Sequence, residues 1–395
     1  MVVFCRNVLT KLKIFGYLSL ESKYIMTNED YMKIAIDLAN KGVGYTNPNP
    51  LVGAVIVKNN KVIGQGYHEK YKNPHAEINA LASCTENPKD STIYVTLEPC
   101  CHYGNTPPCT EAILKSGIRK VIVGSKDPNP KISGKGISYL KSKGIVVIEN
   151  ILREECDSLN EIFFHYIQTK TPYVLMKYAM TIDGKISTAT GESKYISCEQ
   201  SLKNVHLDRH KYSSIMVGVN TIIIDNPKLT CRINENSETD NESLKNPIRI
   251  VCDTNLRTPI DSFVVTSAKY IPTIIATSIT DNDKLSIYKE QGVDFIYLDK
   301  KDNILNLNML MKELYERNID SILLEGGGFL NWSALNSKIV NKINAYIAPK
   351  IFGGKYAKSP ITGLGISSID DAIIVKDLSI KKIGEDFLFE GIPSS

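Results

Sequence analysis

The sequence predicts an α/β protein built from two domains. Three observations carry this. The chain has 395 residues, which exceeds one ordinary core and suits two. Short apolar, strand-like runs alternate with helix-like stretches along most of its length, the pattern of layered sheets covered by helices. A break at Thr169-Lys170-Thr171-Pro172 resets the alternation and divides the chain.

Residues 1–25 stand apart. They hold four basic residues against Glu21, but their apolar residues are interrupted by Arg6, Lys11 and Lys13, and no small-residue cleavage site follows. They read as an upstream extension without catalytic use; a targeting segment is the alternative. The expected boundaries are therefore 1–25 for the extension, 26–170 for the first domain and 171–395 for the second.

The first domain opens at Thr27-Asn28-Glu29-Asp30, a cap followed by early acids, and a helix is expected over 28–41. A loop, Tyr45-Thr46-Asn47-Pro48-Asn49-Pro50, leads to a strand at Val52–Val57. Lys58-Asn59-Asn60-Lys61 turns it back into Val62–Gly66. A helix near 76–84, a strand at Ile93–Leu97, a helix at Thr110–Ser116 and a strand at Lys120–Val123 follow. A helix at 136–143 and a strand at Ile145–Ile148 complete the unit. The second domain begins with the apolar strand Tyr173–Met180. Further strands are expected at 214–219, 248–252, 273–277, 294–298, 320–324 and 342–348, with helices between. The polar, acidic run from Ile233 to Asn246 reads as a solvated loop inside this domain.

Composition narrows the function. Hydrophobic residues are 43% and charged residues 23%, as in globular proteins rather than disordered ones. The formal net charge is +4, and most of it lies in residues 1–25, so the body lacks the basic face that nucleic-acid phosphates require. No run of eighteen apolar residues occurs, so no membrane span is expected. Nine scattered cysteines do not form a disulfide framework and fit a reducing, cytoplasmic compartment.

The sharpest chemical signal is His75-Ala76-Glu77, then Glu98-Pro99-Cys100, then Cys109. One imidazole and two thiolates leave the fourth tetrahedral position of a zinc ion for water, as in catalytic rather than structural sites. Glu77, two residues past His75, can carry a proton from that water to a departing amine without ligating the metal. His75 and Cys109 both stand where helices are expected to begin, which favours thiolate over thiol. Zinc nucleobase deaminases carry this arrangement with two residues between the cysteines; here eight intervene. Cys101 and His102 are therefore rival ligands, read as neighbours of the site.

The TNPNPLVGAVIV stretch, the PHAE, the TLEPCCHYGNTPPC segment and the DPNP loop at Asp127–Pro130 together resemble the bifunctional deaminase-reductases of riboflavin biosynthesis, from about Asn28 to the C-terminus. The resemblance implies a cytidine-deaminase-like layered α/β/α domain followed by a dihydrofolate-reductase-like α/β domain. It implies zinc in the first and NADPH in the second.

Read without the resemblance, the second half offers Leu324-Glu325-Gly326-Gly327-Gly328, a glycine turn between a strand and a helix. Its backbone N–H groups suit a phosphate at a helix start; a tight structural turn is the plain alternative. The resemblance implies more. Ala179, Tyr195, Thr221, Asp225, Gly327 and Gly328 are expected to face the cofactor, with Tyr195 where the family shows tryptophan. Ser193, Arg209, Leu229, Arg232 and Glu325 are expected to form the substrate pocket, the two arginines suiting a ribose phosphate. Lys177 and Glu325 are both candidates for proton transfer.

The implied substrate is a small phosphorylated pyrimidine, and a homo-oligomer is compatible with the sequence. Two rivals stand against this reading. A nucleic-acid-editing deaminase would need a basic face and a tighter cysteine pair. A zinc-stabilised binding module would need a fourth protein ligand.

Overall fold

The computed structural model describes residues 26–103, 107–130, 132–232 and 244–394. The expected extension at 1–25 and most of the expected acidic loop lie outside them.

The first unit is built on a five-stranded sheet ordered β2-β1-β3-β4-β5. Its strands are β1 (Gly53–Lys58), β2 (Lys61–Tyr67), β3 (Thr92–Leu97), β4 (Lys120–Ser125) and β5 (Val146–Ile148). β1 runs antiparallel to both neighbours, and β3, β4 and β5 are parallel. Alternate residues of β1 serve opposite faces, as a strand's period of two demands. Ala54 and Ile56 pack with α2 (Ala76–Ala82), α3 (Cys109–Lys115) and α4 (Lys135–Ser142). Val55 and Val57 pack with α1 (Asn28–Ala39) and Cys156 of α5 (Arg153–Leu159). This is the expected α/β/α layering. Thr27 and Asp30 start α1 with a reciprocal capping box, which satisfies two otherwise orphaned N–H groups. Helix and sheet approach closely at Gly53, where a Cβ would meet Ala35 O at 1.9 Å.

The second unit holds a nine-stranded sheet ordered β10-β9-β8-β7-β13-β6-β14-β16-β15. Its central strands are β6 (Tyr173–Thr181), β7 (Ser214–Gly218), β8 (Ile248–Cys252) and β13 (Ser321–Leu324). β9 (Thr273–Thr277), β10 (Val293–Tyr297) and β14 (Lys342–Ala348) extend the parallel array. β15 (Val375–Ile383) and β16 (Asp386–Pro393) close one edge as an antiparallel hairpin. On one face α11 (Leu307–Glu316) and α12 (Gly328–Asn336) bury Val174, Met216 and Ile250. On the other, α8 (Val219–Asp225), α9 (Phe263–Thr266) and α10 (Asn282–Glu290) cover Ile215, Val217 and Val251. A small hairpin, β11 (Lys300–Lys301) and β12 (Ile304–Leu305), precedes α11.

Two helices join the units. α6 (Glu161–Thr169) sends Ile162 into a cluster with Leu175, Tyr212 and Leu323 of the second sheet. α7 (Glu199–Lys211) places His210 edge-on against Tyr45, ring centroids 4.8 Å apart. Asn47 Nδ2 donates to Asp320 Oδ2 at 2.8 Å across the same junction.

Two candidate active sites

The first site lies where α2 and α3 begin, beside the end of β3. Gly66 of β2 lets α2 close onto the strand, since a Cβ there would meet Ala80 N at 2.4 Å. His75 is the N-cap of α2, Cys100 follows β3, and Cys109 is the first residue of α3. Their ligand atoms all lie within 4.8 Å of one another. His75 Nδ1 stands 3.3 Å from Cys109 Sγ and 3.6 Å from Cys100 Sγ. Ligands of a tetrahedral zinc sit roughly 3.5 Å apart by its bond lengths. One imidazole nitrogen and two sulfurs at these separations fit that ion, and among the described residues no fourth protein ligand joins them.

The electrostatics follow from burial. The Cys100 thiol is lowered to about 4, chiefly by the hydrogen bond from Cys109, whose backbone N–H also donates to Cys100 Sγ at 3.3 Å. Cys109 is driven upward by the same bond. Glu77 is 3% exposed. Burial first, then the charge on Cys100, pushes its carboxyl up to about 7.

The rivals fall outside the group. His102 is exposed, and Cys101, though partly buried, is not among the three clustered ligands. Cys109→Ser is therefore expected to lose most of the zinc, since a hydroxyl is a far poorer ligand than a thiolate, and Cys101→Ser to keep it. Metal analysis of both purified variants reads this directly; equal loss would mean the wrong cysteine had been chosen.

Sequence reasoning missed two supports of this site. Glu98 is 5% exposed and accepts from four backbone N–H groups, those of Asp127, Gly134, Gly136 and Ile137. It thereby ties the Cys100 segment to the loop before α4 and to the first turn of α4. His68 sets its Nδ1 3.1 Å from Pro74 O and its Nε2 3.2 Å from Asn49 Nδ2. With Nδ1 donating, Nε2 accepts and fixes the Asn49 amide.

The second site lies at the carboxyl ends of the second sheet's strands, where open α/β sheets bind ligands. A cavity of about 580 Å³ opens there, lined among others by Ser193, Thr221, Asp225, Gly327 and Gly328. Gly218 and Gly327 also border it, and a Cβ on either would meet nothing closer than 3.6 Å. Neither has a left-handed backbone. Packing does not require glycine at these two positions, whereas a phosphate-bearing ligand approaching the backbone does. The residues present thus fit a dinucleotide. Ser193 Oγ donates to Asp225 Oδ1 at 3.1 Å on its wall. Ala179 and Tyr195 do not line the cavity; Tyr195 is 64% exposed.

Beside the cavity, Arg209 grips Glu325 with two parallel bonds of 2.7 Å, Nε to Oε1 and Nη2 to Oε2. Its Nη1 donates to Thr230 O. Burial alone would raise Glu325, but the charge and hydrogen bonds of Arg209 outweigh it and hold the carboxyl below its usual value. Lys177 is lowered by burial, opposed by the charge of Glu325. His206 is lowered to about 4, by burial and then by Arg209 and Arg232. It is neutral at pH 7, and its Nδ1 accepts from Arg232 N. Arg232 donates to Thr230 Oγ1 at 2.7 Å. The Leu229 side chain is 3% exposed, within the apolar core, so only its backbone can meet a ligand.

Comparison with known proteins agrees with both halves. Residues 26–125 match the cytidine and deoxycytidylate deaminase zinc-binding region, and residues 172–389 match the RibD C-terminal domain. Riboflavin biosynthesis protein RibD of Actinobacillus pleuropneumoniae is 52% identical over 365 residues, covering 92% of this chain and 95% of that one. The solved structure of Acinetobacter baumannii RibD, form 1, superposes with a TM-score of 0.83 at 31% identity, covering 93% of this chain and 99% of that one. A diaminohydroxyphosphoribosylaminopyrimidine deaminase/5-amino-6-(5-phosphoribosylamino)uracil reductase from Thermotoga maritima does so with a TM-score of 0.81 at 36% identity, with the same coverage. The cytidine-deaminase-like and reductase halves expected from the sequence are thus those of one known protein type, and the chain belongs to the RibD family of riboflavin biosynthesis proteins.

Proposed function

We propose that this chain performs two successive reactions on one phosphorylated intermediate. The first is hydrolytic deamination of 2,5-diamino-6-(5-phosphoribosylamino)pyrimidin-4(3H)-one, in which water adds and ammonia leaves. The second is NADPH-dependent reduction of the ribosyl side chain to ribityl, giving 5-amino-6-ribitylaminouracil 5-phosphate. The observation that carries the reading is the His75, Cys100 and Cys109 donor group with Glu77 buried beside it, joined in one chain to a glycine-turn cavity.

A zinc ion supplies, when bound, the Lewis acidity that makes water nucleophilic at neutral pH. His75, Cys100 and Cys109 would hold it. Glu77 accepts the proton that water gives up and returns it to the departing amine. Its raised pKa suits a group that must both take and release a proton near neutrality.

In the second half NADPH supplies the hydride. Glu325, kept as a carboxylate by Arg209, accepts hydrogen bonds from substrate hydroxyls. Lys177 is the better proton donor, because burial weakens its hold on the proton. Arg232 is the arginine for the substrate phosphate, since Arg209 is already committed to Glu325. Ser193 and the Leu229 backbone border the substrate, and Thr221, Asp225, Gly327 and Gly328 border the cofactor. The deaminase unit takes residues 26–170 and the reductase unit 171–395.

A homo-oligomer would pack on the outer edge, where Leu378 and Ile380 of β15 are exposed; sedimentation of the full chain decides this. Eight free cysteines among the described residues fit a reducing, cytoplasmic setting, and none of the described helices is long and apolar enough to cross a membrane.

The deciding experiment incubates the purified chain with the diaminopyrimidinone phosphate and follows ammonia release and NADPH oxidation separately. Ammonia is expected without NADPH, and NADPH oxidation only after deamination. Failure of either signal removes that half of the assignment.

A further inference from the structure

Lys177 of β6 and Glu325, which follows β13, do not line the cavity, but Gly327, two residues past Glu325, does. Thr254, Asn255 and Arg257 follow β8 and line the same cavity. β8 stands two places from β13 in the sheet, about 10 Å at ordinary strand spacing. A dinucleotide with its nicotinamide toward Glu325 and its diphosphate over the Gly218 and Gly327 turns brings its adenosine to the β8 end. Leu305, which ends the hairpin whose Asn303 accepts from Asn255 Nδ2 at 2.9 Å, and Leu307 add apolar lining, as a purine requires.

Charge at that end is arranged for an anion. Arg257 Nη2 donates to the neutral Asn220 Oδ1 at 3.1 Å. Lys300 Nζ donates to the neighbouring Asn255 Oδ1 at 3.1 Å. Neither cation belongs to an ion pair among the described residues. The acid that follows β8, Asp253, is wholly buried, and its Oδ2 accepts from Thr258 N and Oγ1 at 2.7 Å each. It does not line the cavity. An acid facing the ribose at the end of such a strand would bond a free 2′-hydroxyl and repel a 2′-phosphate, whereas an arginine favours the phosphate. Asp302, at the tip of the β11–β12 hairpin, is the carboxylate on this rim.

We propose that Arg257 selects NADPH over NADH, its guanidinium pairing with the 2′-phosphate while Asn220 holds the fork in place. The proposal rests on reading the cavity as an NADPH site. Calorimetric titration of the full chain with NADP⁺, NAD⁺, adenosine 2′,5′-bisphosphate and ADP tests it without turnover. Arg257→Ala is expected to weaken NADP⁺ and the bisphosphate by about tenfold or more, the loss of a charge-assisted contact, and to leave NAD⁺ and ADP unchanged. Arg257→Lys, which keeps the charge but not the fork, is expected to fall between. Equal losses for the phosphorylated and unphosphorylated ligands, or no loss at all, would overturn the assignment. If the unaltered chain binds none of the four, the cofactor reading itself fails, and the two failures are told apart.

Discussion

Glu77→Gln is expected to lower deamination by about 10²–10⁴-fold, the usual worth of a positioned acid–base group, with zinc still near one per chain. Glutamine has almost the volume of glutamate, so a side chain that is 3% exposed keeps its packing and the three ligand atoms keep their places. What is lost is the ability to take a proton and give it back. The reductase half, supplied with already deaminated substrate, is expected to oxidise NADPH at close to the unaltered rate, because its residues lie on a different sheet. Deamination surviving in this variant would remove Glu77 from the mechanism. A parallel collapse of both activities would mean that the sites are not independent.

Arg209→Ala is expected to have the largest effect in the second half. The Arg209 and Glu325 side chains are 14% and 12% exposed, and removing one partner of a buried pair typically costs about 3–5 kcal/mol, because the other charge is stranded. The pair's contribution also has a direction in pH. Glu325 is depressed in the fold, so its stabilisation is present above the usual glutamate pKa. It is lost as pH falls through the depressed value. In Arg209→Ala the main opposition to burial is gone and only the charges of Lys177 and His206 still hold the carboxyl down, so it rises, and mild acidification should favour this variant more than the unaltered chain. Urea midpoints of both proteins at neutral and mildly acidic pH measure this. A change under 1 kcal/mol at neutral pH would show that Arg209 is dispensable to Glu325.

The legible parts of the fold were those with a buried face. β1 and β6 are dense apolar runs because helices or a second layer cover them, and every expected strand of both sheets has an observed counterpart. The edge hairpin was not read. All positions of β15 except the last are exposed, and Lys376, Asp377, Lys381 and Lys382 interrupt its apolar residues, so no period marks it; its strand is made by backbone pairing to β16. The metal group was legible because its chemistry sits in short motifs. Glu98 stood inside one of them, yet its four donors come from residues 127–137 and give no local sign. The choice between Lys177 and Glu325 was closed to sequence reading for the same reason. It depends on Arg209, 116 positions from Glu325.

α7 constrains how such a chain can drift. Arg209 points at Glu325 in one unit, and the next residue, His210, lies against Tyr45 of the other. Neighbouring helical positions differ by about 100°, so a single residue inserted earlier in α7 would swing both side chains away from their partners at once. A longer loop on either side of this helix would leave both contacts in place, but an insertion inside it would be paid for in both halves together. The two catalytic units share one reading frame of helical turns, and neither can change its register there alone.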